Sequence, residues 1–350
     1  MTEISFIIVS YNSLAFIKVL LDSFKIINSR VFSREAKNNN EDPSENNSDL
    51  KVDHSDKNSA CGFYEIVIFD NGSSDGSAHY IENKALADSN IRLIKSADNL
   101  GFCRASNLAA KSANGKYLIF LNPDTKILDG NIKAIAGFLK DREALGEKIG
   151  IIGAKTINND GTLQYSARSF PSISRQFFES FFLFKIFFRS RIFGSYFMTW
   201  WDHGNIMQVD WLSGSFMFVK KEVFELMDGF DEDYFMYSED TDLCLRLTRE
   251  GFKNYYYPFY TIMHLDGGIA SRNLLFRELG IWKSRRLYFK KNYTAFYALT
   301  AGGLYFLGIL NRMLIYFILF IFTFQKKYWK KSNLYFKVLK SYFKKSKKII

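Results

Sequence analysis

Cysteine is scarce in this chain of 350 residues, which contains three and no Cys-x-x-Cys spacing. Cys61, Cys103 and Cys244 therefore suggest neither a disulfide framework nor a zinc site, and we expect a reducing compartment. The start of the chain also lacks the basic segment and the long apolar run of a secretion signal. Its short run from Ile4 to Val9 predicts a β-strand instead.

Acidic residues are absent from the end of the chain. The formal net charge is +11, yet 16 Lys and Arg residues and no Asp or Glu follow Glu278. The first 278 residues hold 31 basic and 36 acidic residues and are slightly acidic. Because the basic charge belongs to the tail, we expect the tail to contact an anionic partner.

No Gly-x-Gly-x-x-Gly motif follows the first strand, which argues against a nicotinamide- or flavin-binding dinucleotide fold. A Gly-rich, basic phosphate-binding loop is also missing there, which argues against a nucleotidyltransferase. From about Arg30 to Ala60 the chain is rich in Asn, Ser, Asp, Glu and Lys and nearly free of apolar residues. This composition predicts a disordered insertion over residues 30–61.

Strands and helices alternate through about the first 155 residues, which predicts an α/β fold with a doubly wound, mostly parallel sheet. Polar residues follow three of the strands, namely Tyr11, Asp70 and Asp124. The carboxyl ends of strands are where open α/β sheets bind ligands. An Asp after Asn-Pro is also an ordinary turn residue, so both interpretations of Asp124 remain open.

Three acids occupy the first turn of a helix that is predicted after Ser238. Asp240 lies on the apolar, inward face of this helix, whereas Asp242 is spaced to form a surface salt bridge with Arg246. The helix dipole alone would favour acids at this position. A carboxylate on an inward face is nevertheless costly unless it has a partner or a task, and His264 is a candidate partner.

Two segments suggest contact with a membrane. Phenylalanines recur at helical spacing between residues 174 and 201 with basic residues among them, which predicts either a helix buried against the sheet or one lying on a membrane. Phe296 to Phe324 is apolar but interrupted by Asn311 and Arg312, and each piece is shorter than the ~20 residues of a spanning helix. Basic residues flank both ends, so we predict an interfacial or re-entrant hairpin with cytoplasmic ends.

The last segment places apolar residues on one helical face and lysines elsewhere, a pattern typical of helices that bind anionic lipid. Basic patches with aromatic residues also suit RNA. A lipid-linked acceptor accounts for the whole tail better, so we expect no nucleic-acid partner. The apolar face consists of Trp329, Phe336, Leu339 and Phe343.

Seven motifs between about residues 4 and 270 resemble, in chain order, those of the family 2 inverting glycosyltransferases. The greatest similarity is to the rhamnosyltransferase-like enzymes of bacterial surface polysaccharide synthesis. The motifs are Val9–Asn12, Val67–Ser77, Asn99–Phe102, Leu121–Asp124, Trp211–Gly214, Gly229–Glu232 and Glu239–Arg246.

The resemblance implies a catalytic domain with the GT-A fold over residues 1–270 and a helical, membrane-associating tail over residues 271–350. It implies binding of a nucleotide sugar and of a divalent cation, Mg²⁺ or Mn²⁺. Asp124 would bind the cation in an Asp-x-Asp motif whose first position is Asn122 here, and His264 would complete the metal site. The nucleobase would contact Val9, Tyr11, Asp70 and Asn71.

The resemblance further implies that Asp240 is the general base, with Glu239 beside it and Trp211 and Gly214 on the acceptor side. The expected acceptor is a lipid-linked glycan or polysaccharide at the cytoplasmic face of the inner membrane, with the enzyme attached peripherally or monotopically. A catalytically inactive membrane-bound scaffold is the alternative. Intact Asp124 and Asp240 argue against it.

Overall fold

The computed structural model describes residues 2–25, 63–265 and 273–342. The predicted insertion over residues 30–61 lies outside the described residues. Phe343, the last member of the predicted apolar face of the tail, lies outside them as well.

The first part of the described chain alternates strands and helices. These are β1 (Ile4–Ser10), α1 (Leu14–Ser23), β2 (Tyr64–Asn71), α2 (Ser77–Ala87), β3 (Ile91–Ser96), α3 (Phe102–Ser112), β4 (Tyr117–Leu121), β5 (Thr125–Gly130), α4 (Ile132–Ala144) and β6 (Ile149–Ile157).

The second part contains shorter elements and ends in three helices. These are β7 (Leu163–Gln164), β8 (Ala167–Arg168), α5 (Ile173–Ser180), α6 (Leu183–Ile186), β9 (Met207–Val209), β10 (Trp211–Leu212), β11 (Phe216–Lys220), α7 (Lys221–Leu226), α8 (Glu239–Arg249), β12 (Lys253–His264), α9 (Leu274–Asn292), α10 (Ala295–Thr323) and α11 (Lys326–Tyr342).

The main sheet has the strand order β3-β2-β1-β4-β11-β6-β12-β5. The first four strands are parallel, as the sequence predicts. Beyond them the sheet is mixed, because β11 runs antiparallel to both β4 and β6, while β12 is parallel to β6. The carboxyl ends of β1, β2 and β4 therefore meet at one edge.

Strand β1 shows why the sheet is covered on both faces. Its apolar residues alternate between two cores: Phe6 and Ile8 join one, and Ile7 and Val9 join the other. Successive side chains of a strand point to opposite faces, so a strand without polar alternation needs cover on both. Helix α1 packs on the first face and α3 on the second, which confirms the doubly wound α/β fold.

Asp242 is buried rather than at the surface, so the predicted surface salt bridge is wrong in its location. The pair itself is present, with Arg246 Nε 2.8 Å from Asp242 Oδ2. Asn292 of α9 donates to the other carboxylate oxygen at 2.9 Å, and Arg246 donates to the carbonyl oxygen of Gly229 at 2.8 Å. Helix α9 covers this pair, which the spacing within α8 does not reveal.

The Phe-rich segment does not form a helix buried against the sheet, so that interpretation is wrong. It forms the short helices α5 and α6 followed by turns, and α5 packs against α10. Helix α5 buries Gln176 and Ser180, while its Phe177 is exposed. From the last residue of α6 onward, a further group of large apolar side chains is exposed, namely Ile186, Phe187, Phe188 and Ile192.

Helix α10 runs without a break through Asn311 and Arg312, which corrects the predicted division into two short pieces. Asn311 Nδ2 donates to the carbonyl oxygen of Ser180 at 3.1 Å, and Arg312 Nη2 lies 3.8 Å from Glu179 Oε1. A Cβ atom at Gly308 would lie 2.5 Å from Ser180 Oγ, so glycine permits the close approach of α5. The polar pair is satisfied by α5 and does not interrupt the helix.

The side chain of Asn254 in β12 forms hydrogen bonds with the backbone of two other segments of the second half of the fold. Its Oδ1 accepts from Ile151 N–H at 3.0 Å, and its Nδ2 donates to the carbonyl oxygen of Asp210 at 2.9 Å.

We expect Asn254→Leu to lower the free energy of unfolding by about 2 kcal/mol or more, because it leaves buried backbone groups unpaired. Thermal melting of the full chain in detergent checks this. Asn83→Leu, an exposed change on α2, serves as control, and equal melting temperatures would contradict the assignment.

Candidate active site

A cavity of about 1020 Å³ opens where the carboxyl ends of the parallel strands meet the start of α8. Every site residue predicted from the sequence lines it except Asp70. The predicted residues in the lining are Val9, Tyr11, Asn71, Asn122, Asp124, Trp211, Gly214, Glu239, Asp240 and His264. The fold therefore brings residues from six separate parts of the sequence to one space.

Asp70 and Asn71 support the wall of the cavity. Asp70 is buried, and its Oδ2 accepts from Ser73 N–H at 3.1 Å. Asn71 Oδ1 accepts from Leu100 N–H at 2.8 Å, and Asn71 Nδ2 donates to Asn99 Oδ1 at 3.0 Å. These bonds hold the loop before α3 against the cavity. Direct contact of either side chain with a nucleobase remains a prediction.

Asp124 and His264 come together although 140 positions separate them in the chain, with His264 Nε2 3.2 Å from Asp124 Oδ1. On its other side, His264 Nδ1 lies 2.8 Å from Gln164 Oε1. The amide nitrogen of Gln164 is occupied, because it donates to Asn158 Oδ1 at 2.9 Å. The oxygen of Gln164 therefore accepts the Nδ1–H of His264, and Nε2 faces the Asp124 carboxylate.

This arrangement fits a divalent cation. A lone pair and a carboxylate oxygen at this separation repel each other unless a proton or a cation lies between them. Neighbouring ligands on an octahedral cation at ~2.1 Å lie roughly 3 Å apart, close to the spacing observed. Among the residues that the structure describes, no third His, Cys, Asp or Glu joins this pair. Oxygen atoms of a substrate phosphate and of water would complete such a site.

Glu239 and Asp240 stand side by side at the start of α8. Asp240 Oδ2 accepts from Gly214 N–H at 2.9 Å, and its Oδ1 accepts from Thr241 N–H at 2.7 Å. Burial raises the pKa of Asp240, and these two donors act in the opposite direction. Burial and then the charge of Asp240 raise the pKa of Glu239 well above its ordinary value.

The two carboxyl groups therefore have different protonation states. Glu239 Oε2 is buried without a hydrogen-bond partner among the described residues, so no donor stabilises a negative charge on that oxygen. Asp240 has two backbone N–H donors. These surroundings favour the proton on Glu239 and the negative charge on Asp240. An ionised carboxylate with a raised pKa is suited to accept a proton near neutral pH.

Sequence reasoning missed two residues of this region, Gln164 and Arg168. Gln164 orients His264, and the Arg168 side chain lines the cavity beside Trp211. Both residues lie on strands only two residues long, β7 and β8. Strands of two residues show no alternation of apolar and polar residues. The sequence therefore gives no local signal for Gln164 or Arg168 beyond their polar character.

A model of the family described as Glycosyl transferase family 2 matches residues 54–204. The chain is 29% identical over 210 residues to the N-acetylglucosaminyl-diphospho-decaprenol L-rhamnosyltransferase of Mycobacterium tuberculosis. That match covers 57% of this chain and 66% of the relative, just under two thirds of its length. It is also 29% identical over 213 residues to the rhamnosyltransferase WbbL of Escherichia coli, covering 57% of this chain and 72% of WbbL.

Residues 54–204 therefore carry the sequence pattern of the family 2 glycosyltransferases. The protein has the α/β fold that the sequence predicts, with the cavity at the edge of the parallel strands. Among solved structures it aligns with residues 1–349 of S. aureus TarS at a TM-score of 0.46 and 15% identity, covering 87% of this chain and 70% of that chain.

The raised pKa of Glu239 predicts a pH-dependent stability of the glycosyltransferase. The folded protein keeps the Glu239 proton at pH values where the unfolded chain has lost it, so this residue lowers stability progressively as the pH rises above ~4.3. Glu239→Gln has no such proton to lose. We expect its melting temperature, relative to the wild type, to increase between about pH 5 and pH 8.

Thermal melting of both proteins in detergent across this pH range checks the prediction. Glu250→Gln, an exposed change at the end of the same helix, is the control and should melt in parallel with the wild type. Parallel curves for Glu239→Gln as well would contradict a buried, protonated Glu239.

Proposed function

We propose that this glycosyltransferase moves a hexose or deoxyhexose from a nucleotide-diphosphate sugar to a lipid-linked glycan. Rhamnose is the donor sugar that its similarity to the two rhamnosyltransferases favours. The observation that carries the proposal is one cavity that holds both the Asp124–His264 pair and Asp240, whose carboxylate accepts from the backbone. Transfer from a nucleotide sugar needs both charge compensation for a diphosphate and a base for the acceptor.

The donor would occupy the part of the cavity formed by the ends of the parallel strands. Val9 and Tyr11 would contact the nucleobase, and Asn71 would hold the neighbouring loop. Asn122, Asp124 and His264 would face the diphosphate. A divalent cation at Asp124 and His264 would offset the negative charge of the leaving nucleoside diphosphate.

Asp240 would act as the general base. The hydroxyl oxygen of the acceptor attacks the anomeric carbon, its proton passes to Asp240, and the bond to the diphosphate oxygen breaks with its electron pair. Gly214 N–H holds the carboxylate in place, and Trp211 lines the acceptor side. A single displacement from the back of the sugar inverts the anomeric carbon without a covalent intermediate.

Membrane attachment would bring the enzyme to its acceptor. Among the described residues, α10 alone is long and apolar enough to cross a bilayer, by length and composition only. The middle of α10 is bonded to the catalytic domain through Asn311 and Arg312. We infer that α10 lies at the membrane surface, because a spanning position would place Glu179 and the adjoining cavity at bilayer depth. The exposed Phe322 of α10 and Phe324, which directly follows the helix, would enter the cytoplasmic leaflet of the inner membrane.

The catalytic proposal predicts separable effects of two substitutions. Asp240→Asn should lower kcat by about 10²–10⁴-fold with little change in nucleotide binding, because only the base is lost. Asp124→Ala should abolish Mn²⁺-dependent nucleotide binding measured by calorimetry. The donors to test are dTDP-rhamnose, UDP-glucose, UDP-galactose and GDP-mannose, with a bacterial membrane extract as acceptor.

Asp22→Asn, an exposed change on α1, is the matched control and should retain activity. Absence of turnover by the wild type with every donor and with Mn²⁺ or Mg²⁺ would favour the alternative, an inactive scaffold.

The proposed attachment predicts weaker lipid binding when the basic start of α11 is neutralised. Replacing its four lysines with glutamine should reduce binding to phosphatidylglycerol-containing vesicles by at least 10²-fold at low salt, since each contributes ~1 kcal/mol. Vesicle sedimentation measures this. The substituted residues are Lys326, Lys327, Lys330 and Lys331.

Four exposed lysines of the catalytic domain provide the control, and their replacement should leave vesicle binding unchanged. An equal loss in both variants would contradict a specific role for α11. The control residues are Lys18, Lys25, Lys111 and Lys116.

A further inference from the structure

Arg168 brings a positive charge into the cavity that the transfer reaction described above does not use. Its guanidinium lies 5.0 Å from the centres of both the Trp211 and the Phe197 rings. Its Nε donates to the carbonyl oxygen of Tyr165 at 2.9 Å. Within the described parts of the chain, no carboxylate forms an ion pair with Arg168. The two terminal nitrogens are therefore positioned by aromatic rings and remain able to bind an anion.

The surroundings of Arg168 carry an excess of positive charge. Arg285 also lines the cavity, and its Nη1 lies 2.6 Å from Glu179 Oε2. Arg312 shares the same carboxylate from α10. Burial alone would raise the pKa of Glu179, but the charges of Arg285 and Arg312 outweigh it and keep that pKa below its ordinary value. One carboxylate thus pairs directly with two arginines, and Arg168 acts on it and on Asp240 only at longer range.

This end of the cavity adjoins the exposed apolar surface of the catalytic domain. Phe197 lines the cavity, and its ring centre lies 4.8 Å from that of Phe184 in α6. Phe187 and Phe188, which directly follow α6, are about half exposed. Aromatic side chains of the protein therefore extend from Arg168 to the surface. An elongated ligand could place its anionic part at Arg168 and its apolar part along these side chains.

Building on the proposed function, we propose that Arg168 binds the diphosphate that joins the first sugar of the acceptor to its lipid. A guanidinium presents a planar pair of N–H donors that matches two phosphate oxygens. Arg168 pairs with Trp211 across β8 and β10, and Trp211 precedes Gly214, which holds the base. The diphosphate on Arg168 would thus place the acceptor sugar near Asp240, whereas the donor diphosphate lies at Asp124 and His264.

The experiment measures binding without turnover, so it stays informative if the transfer reaction itself is not reconstituted. Quenching of tryptophan fluorescence in the detergent-extracted full chain reports binding, because Trp211 adjoins Arg168. The probes are geranylgeranyl diphosphate, geranylgeraniol and inorganic pyrophosphate. The wild type should bind the lipid diphosphate at least about tenfold more tightly than either of the other two.

Arg168→Gln should weaken binding of the lipid diphosphate by about 10–100-fold, and Arg168→Lys by less, because it keeps the charge but not the planar pair of donors. Arg104→Gln, an exposed change on α3, removes the same charge elsewhere and should bind like the wild type. Binding of UDP, dTDP and GDP with Mn²⁺ should not change in any variant. Melting temperatures show whether each variant is folded. If Arg168→Gln does not fold, the comparison of Arg168→Lys with the wild type tests the proposal.

Three outcomes would overturn the proposal. Folded Arg168 variants that bind the lipid diphosphate like the wild type would show that Arg168 does not contact it. An equal loss of nucleotide binding would assign Arg168 to the donor. Pyrophosphate that binds as tightly as the lipid diphosphate would show a simple anion site without recognition of a lipid-linked acceptor.

Discussion

Two neighbouring carboxyl groups at the start of α8, the buried Glu239 and the half-buried Asp240, impose the constraint on which the site depends. Two negative charges in this position would repel each other strongly, so one group keeps its proton. The backbone N–H groups of Gly214 and Thr241 place the charge on Asp240. This requires the loop before β11 and the start of α8 to be fixed relative to each other. Strand β11 in the centre of the sheet and the buried Asp242–Arg246 pair in α8 fix them.

The same cavity combines a rigid polar side with an aromatic, basic side. Asn158, Gln164 and His264 form a chain of hydrogen bonds that ends at Asp124, so the orientation of the imidazole is set before any ligand binds. On the other side, Arg168 lies between aromatic rings, and Glu179 links the cavity to α10 through Arg312. The cavity and helix α10 are therefore joined by direct contacts through Glu179.

The strands at the cavity edge and the acids of α8 were predictable from sequence, because their signals are local. A buried strand shows as a short apolar run, as in β4, and the inward position of Asp240 follows from the residues that come three, four and seven positions later. The environment of Asp242 and the course of α10 were not predictable, because their partners are distant in the chain. Asn311 resembles a break in an apolar helix until Ser180, 131 positions earlier, is seen to accept its hydrogen bond.

The configuration of the product tests most directly the claim that Asp240 serves as base in a single displacement. The wild-type enzyme would be supplied with dTDP-rhamnose and a lipid diphosphate-linked N-acetylglucosamine, and the anomeric configuration of the new linkage determined by NMR. The account predicts a configuration opposite to that of the donor. A product that retains the donor configuration would contradict it, because retention requires either two displacements or attack from the face of the leaving group.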